Sequence, residues 1–90
     1  MASLVADKTE CKGSEEDMGK FSTVVECAEI CKEVSSMFAF GLPPSRCNSD
    51  GCLCLCETSA STDGTCSQAS HSGYHLYRYK YHKDSKYYFA

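Results

Sequence analysis

The sequence predicts a small disulfide-rich α+β domain, and three observations predict it. Eight of the 90 residues are cysteine. Cys27 and Cys31 are spaced i and i+4, which puts both sulfurs on one face of a helix. Cys52, Cys54 and Cys56 occupy alternate positions, which in a strand aligns three sulfurs on one face. A helix carrying the first set can face a strand carrying the second and be joined to it by two parallel disulfides. The expected frame is therefore a short helix or strand at the C-x3-C pair, set against a small antiparallel sheet.

Composition shows why such a chain needs staples. Leu, Ile, Val and Phe supply only 14 of the 90 residues, below the roughly 20% under which a core is hard to build. An even cysteine count in a short chain with a thin core reads as a disulfide framework. Each bridge contributes about 2–4 kcal/mol, mainly by restricting the unfolded chain. Bridges imply an oxidising compartment, so the expected localisation is secreted and extracellular. The opening MASLVADKTE has only a short apolar stretch and no signal-peptide core, so the chain reads as a mature form. No apolar run approaches the ~18 residues of a membrane span. Asn48 is followed by Ser49 and Asp50, so the chain has no N-glycosylation acceptor.

The chain divides into three parts. Residues 1–10 read as an acidic N-terminal arm, residues 11–66 as the stapled domain, and residues 67–90 as a Tyr/basic strand or tail. The overall charge of −3 is uneven, with −6 over residues 1–70 and +3 over residues 71–90. Acids are densest at Asp7, Glu10, Glu15, Glu16 and Asp17. Such a run is most simply a solvated face, and alternatively a docking strip for a basic partner.

Thr23 with Glu26 three residues on fits a capping box, so a helix should start near Thr23. Cys27, Cys31, Val34 and Phe38 continue it as a stripe at i, i+4, i+7 and i+11. The β-prone Phe21, Ser22, Thr23, Val24 and Val25 leave a strand open for the first turns. Gly41-Leu42-Pro43-Pro44 ends anything helical. Asn48-Ser49-Asp50-Gly51 is a turn feeding the strand of Cys52, Cys54 and Cys56. Residues 57–64 read as a polar loop, after which Thr65 and Cys66 begin a return strand. Tyr77-Arg78-Tyr79-Lys80-Tyr81 alternates aromatic and basic residues, as an edge strand or an extended tail would.

Most chemical readings fall away. Zinc sites pair C-x2-C units or combine one with H-x3–5-H, and this chain has neither. Ten Tyr and Phe residues are foreign to a metallothionein. Cys–His catalysis needs one free thiol, whereas eight thiols suggest full pairing. There is no Gly-rich phosphate loop and no G-x-S-x-G. The expectation is therefore no enzyme, no cofactor, no metal and no nucleic-acid or membrane partner. His71, His75 and His82 read as solvated side chains. What is left is a secreted recognition module, a monomer that presents loops and edges on a rigid frame.

The cysteine spacing resembles that of the tick evasins, salivary proteins that bind chemokines. Cys27-x3-Cys31 and Cys47-x4-Cys52-x-Cys54-x11-Cys66 are similar to the six-cysteine, knottin-like class, including Cys47-Asn-Ser-Asp-Gly-Cys52-Leu-Cys54 and Asp63-Gly64-Thr65-Cys66. Cys11-x15-Cys27, with Phe21-Ser22-Thr23-Val24-Val25-Glu26 before the pair, resembles the opening of the eight-cysteine class. The pattern is thus mixed between the two. The resemblance implies a knottin-like frame that pairs Cys27 with Cys52 and Cys31 with Cys54. Cys47–Cys66 and Cys11–Cys56 would then complete a knot.

It also implies an inhibitor that blocks chemokine–receptor engagement. Asp7, Glu10, Glu15, Glu16 and Asp17 would steer a basic chemokine, and Phe21, Ser22, Thr23, Val24 and Val25 would contact it. The defensin and scorpion-toxin group has a similar C-x3-C and C-x-C pattern, which implies an antimicrobial or ion-channel peptide. A protease or complement inhibitor of parasite type is a further alternative.

Overall fold

The structure, a computed structural model, describes residues 3–82 and 85–88, with side chains as far as Tyr79. The chain opens with β1 (Ser3–Ala6), β2 (Thr9–Cys11) and β3 (Glu16–Phe21), followed by α1 (Val24–Cys31). Then come β4 (Met37–Gly41), β5 (Cys47–Asn48) and β6 (Gly51–Cys56). β7 (Gln68–Ser70), β8 (Tyr74–Arg78), β9 (Lys80–His82) and β10 (Ser85–Tyr88) complete the order. A six-stranded antiparallel sheet runs β1-β8-β4-β6-β3, with β5 also on β6. β2 pairs with β7, and β9 with β10, in separate ladders. The disulfide-rich α+β class is thus the one observed.

The helix begins where expected. Thr23 is extended, and its hydroxyl accepts the Glu26 amide at 3.3 Å. The Glu26 carboxylate accepts the Ser22 and Thr23 amides, each at 3.1 Å. The Ser22 hydroxyl, together with these amides, holds the Glu26 carboxyl below its ordinary pKa. The stripe, however, does not continue to Phe38. The helix stops at Cys31, Val34 is exposed, and Phe38 is fully buried in β4. Ser35 explains the break, because its hydroxyl donates to the Met37 carbonyl at 2.6 Å and so favours a turn over another helical turn. From Met37 the chain is a strand whose successive apolar side chains alternate between two covered faces.

That alternation builds a core on both faces of the sheet. On one face, Cys27, Ala28 and Cys31 of α1 meet Phe38, Cys54, Cys56 and Tyr79. Phe38 stacks on Tyr77 with ring centroids 5.1 Å apart. The Tyr79 hydroxyl donates to the Ala28 carbonyl, and burial pushes its pKa up. On the other face, Met37 and Leu76 pack with Cys11, and Ala39 with Leu55 and Tyr74.

All eight cysteines are bonded, as Cys11–Cys66, Cys27–Cys54, Cys31–Cys56 and Cys47–Cys52. Two parallel bridges do join helix to strand, but two residues further along β6 than the expected Cys27–Cys52 and Cys31–Cys54. The reason is the hairpin. Asn48 pairs with Gly51, so Cys47 sits opposite Cys52 with Cα atoms 4.0 Å apart, and these two bond each other. Cys54 and Cys56 are left to the helix. The expected Cys47–Cys66 and Cys11–Cys56 bridges are replaced as well. Cys11 lies opposite Gln68 in the β2–β7 ladder, which brings Cys66 within reach.

Gly51 is required at that hairpin. Its φ is 119°, and a Cβ there would collide with the Phe21 carbonyl of β3. The return strand expected at Thr65 and Cys66 is absent, since β7 starts at Gln68 and pairs with β2 rather than β6.

Residues 3–11 form β1 and β2 rather than a free arm. Of the strand or tail left open for the C-terminal part, the described residues form strands, β8 inside the sheet rather than at its edge. β8 is paired with β1 on one side and β4 on the other, from Met37↔Arg78 to Gly41↔Tyr74. The edge on that side is β1. The side chains of Lys80, Tyr81 and His82, and residues 83–84 and 89–90, lie outside the described residues.

Two outcomes follow. Deleting residues 71–90 removes β8 and should abolish the cooperative thermal transition read by circular dichroism. Thr23→Ala removes one half of the capping box and should cost about 1 kcal/mol in urea unfolding.

Candidate functional site

The residues expected to contact a partner divide between four places. Glu16 and Asp17 lie on β3, whose inner side pairs with β6 through Glu16↔Cys56, Asp17↔Leu55, Lys20↔Leu53 and Phe21↔Cys52. Among the described residues no strand pairs with the outer side of β3. The register shifts between Asp17 and Lys20, where the Asp17 carboxylate accepts the Gly19 amide at 2.8 Å. A bulge and exposed charges are how an edge strand avoids open-ended pairing with its own kind. A partner at this edge would be selected by charge as well as backbone.

Beyond β3 the chain turns into the helix. Ser22 and Thr23 are committed to the capping network with Glu26. Phe21 and Val24 pack against the helix-side core. Of this segment Val25 presents the exposed apolar side chain.

Asp7 lies elsewhere, in the turn between β1 and β2. Its carboxylate is 3.7 Å from His75 Nε2. His75 Nδ1 accepts the Lys8 amide at 3.1 Å, which leaves the ring proton on Nε2, toward Asp7. His75 is thus a half-buried tie between β8 and the turn rather than a solvated side chain. His71 is likewise engaged, accepting the Gly73 amide at 3.0 Å and packing on Tyr74.

Glu10 and Glu15 converge on a residue that the sequence reading placed in a polar loop. Glu57 is fully buried. Its Oε2 accepts the Cys11 amide at 2.6 Å, satisfying the β2 donor that points away from β7. Its Oε1 meets no hydrogen-bond donor among the described residues and faces the Glu15 carboxylate instead. Carboxylate oxygens of Glu10, Glu15 and Glu57 all lie within 4.8 Å of one another. Burial first, then a side-chain hydrogen bond with Glu15 and the charges of Glu15 and Glu10, pushes the Glu57 carboxyl up to about 8, against the opposing pull of the Cys11 amide. A signal for this was present in the sequence. Leu53, Leu55 and Glu57 share one parity, and that parity faces the interior opposite the helix. The sulfurs of Cys27, Cys31 and Cys54 also converge, but all three are consumed in disulfides and offer no thiolate to a metal.

Comparison with known proteins finds no matching family model, no matching curated protein and no matching solved structure.

Glu57 makes stability depend on pH with a definite sign. The folded carboxyl holds its proton to about pH 8, whereas the ordinary value is 4.5. Between those values the native state binds more protons than the unfolded state, so stability falls as pH rises. In chelator-treated buffer the melting temperature should drop from pH 5 to pH 8. Glu57→Gln should flatten that slope by comparison with the parent.

Proposed function

We propose that the protein is a secreted inhibitor that binds a basic extracellular protein, specifically a chemokine, and blocks its receptor contact. The observation that carries this reading is the open outer edge of β3, which displays Glu16 and Asp17 on a frame stapled by four disulfides. A rigid frame loses little conformational entropy on binding. Exposed acids speed encounter with a basic partner, while an adjoining apolar contact slows its departure. An extended partner segment can add to an open sheet edge through backbone hydrogen bonds. The evasin-like cysteine spacing points to the same partner class. The four bridges fit an oxidising compartment, and no described helix is long and apolar enough to cross a membrane.

The roles of the acids follow from their positions. Glu16 and Asp17 steer. Glu10 and Glu15 are turned toward Glu57, and Asp7 toward His75, so these three contribute less. Val25 is the apolar contact that can be removed without opening the core, whereas truncating Phe21 would also loosen packing beneath α1.

The test is surface-plasmon kinetics against a chemokine panel at two ionic strengths. The double variant Glu16→Gln, Asp17→Asn should slow association several-fold and flatten its salt dependence. Val25→Ala should speed dissociation. Association insensitive to both salt and the double variant would rule out the steering role, and failure to bind any chemokine would remove the proposal.

A further inference from the structure

We propose that Glu10, Glu15 and Glu57 form a binding site for one calcium ion. Glu57 is the observation that points to a ligand. A carboxylate removed from water is costly unless its oxygens are hydrogen-bonded or its charge is matched. Only one of its two oxygens receives a donor, the Cys11 amide, and the other is buried with no donor among the described residues and faces the Glu15 carboxylate. Among the described residues no lysine or arginine is paired with it. The groups nearest to it are two further carboxylates, Glu10, which is half-buried, and Glu15, which is exposed. Three acids converging on an unmatched buried oxygen are stabilised by a cation placed between them.

The chemistry of the donors selects the ion. All three are carboxylate oxygens, which suit hard cations rather than zinc or copper. Calcium takes oxygen ligands at about 2.3–2.6 Å, so its ligand atoms can lie up to about 5 Å apart. The separations here, all within 4.8 Å, fit that span. Magnesium gives up its water reluctantly and usually takes only one or two carboxylates. Glu15 opens the site to solvent, which supplies an entry path and leaves room for water to complete the shell.

The placement gives the ion a structural effect. Glu10 belongs to β2, Glu15 directly precedes β3, and Glu57 directly follows β6. Calcium would therefore tie the β2–β7 ladder to the main sheet beside the Cys11–Cys66 bridge. It would also order the residues leading into the β3 edge.

The experiment uses the full chain with its disulfides intact, freed of metal by chelator. CaCl2 is titrated in by calorimetry, and thermal unfolding is followed in CaCl2, MgCl2 and EGTA. One ion should bind, with a dissociation constant on the order of 0.1–1 mM, the range of extracellular modules. At 10 mM CaCl2 the melting temperature should rise by roughly 6–20 °C over EGTA, with a smaller rise in MgCl2. Glu15→Gln, at an exposed position, should fold normally and bind calcium about tenfold more weakly, because ligand charge count sets affinity in such sites. Glu57→Gln should lose binding, and should it fail to fold, Glu15→Gln decides the matter. Equal melting temperatures in CaCl2 and EGTA with no binding heat would overturn the proposal, since a proton alone would then neutralise Glu57. A calcium effect of equal size in the parent and in Glu15→Gln would overturn it too, by placing the ion elsewhere.

Discussion

Two disulfides running from consecutive turns of α1 to alternate residues of β6 are the constraint on which the rest of this molecule depends. Cys27 and Cys31 are one turn apart, Cys54 and Cys56 two residues apart, and the Cα separations across the bridges are 5.5 and 5.3 Å. With both bridges closed, the helix can neither roll nor slide on the sheet. An eight-residue helix is too short to persist alone in water. Its stability comes from this clamp, from the capping box, and from Ala28 packed beneath Phe38 and Tyr79. The clamp also positions β3. The chain between Phe21 and Val24 is short, so an immobile helix start fixes where the last residue of that strand lies.

The same period-two alternation that delivers sulfurs to one face of β6 delivers Leu53, Leu55 and Glu57 to the other. A thin apolar composition leaves few side chains to cover that second face. The β2–β7 ladder and the loop after β6 do so, held by Cys11–Cys66 and by the bond from the Cys11 amide to Glu57. The buried acid is thus a consequence of the architecture. Among the described residues β2 is paired on one side only, and the carboxylate answers the amide that β7 cannot reach. Satisfying that donor concentrates negative charge beneath Glu10 and Glu15, a conflict that a proton or a cation relieves.

The distribution of charge bears on the proposed partner binding in the same way. Seven of the first seventeen residues are charged, five of them acidic, yet they do not act together. Asp7 is drawn to His75, Glu10 and Glu15 to Glu57, and only Glu16 and Asp17 remain on the open sheet edge. The bulge at Asp17 keeps that edge from being a general template. The proposed partner would have to match its charge as well as its backbone.

What the sequence by itself determined was local. The capping box at Thr23, the i and i+4 pair on a helix face, the turn ending at Gly51 and the strand of alternating cysteines each depend on residues within a few positions of one another. Their conformations are the ones observed, because spacing alone dictates which side chains share a face. What only the tertiary structure decided was which distant partner each element meets. The shift of the helix bridges from Cys52 to Cys54 and Cys56 came from a two-residue hairpin turn that gave Cys52 a closer neighbour in Cys47. The end of the helix at Cys31 came from Ser35 and from the demand of β4 for a place between β6 and β8. The incorporation of β1 and β8, and the burial of Glu57, came from strand pairings between residues as far apart as Ser3 and Arg78. No local pattern encodes these pairings, because they are selected by which faces and edges the rest of the folded chain leaves uncovered.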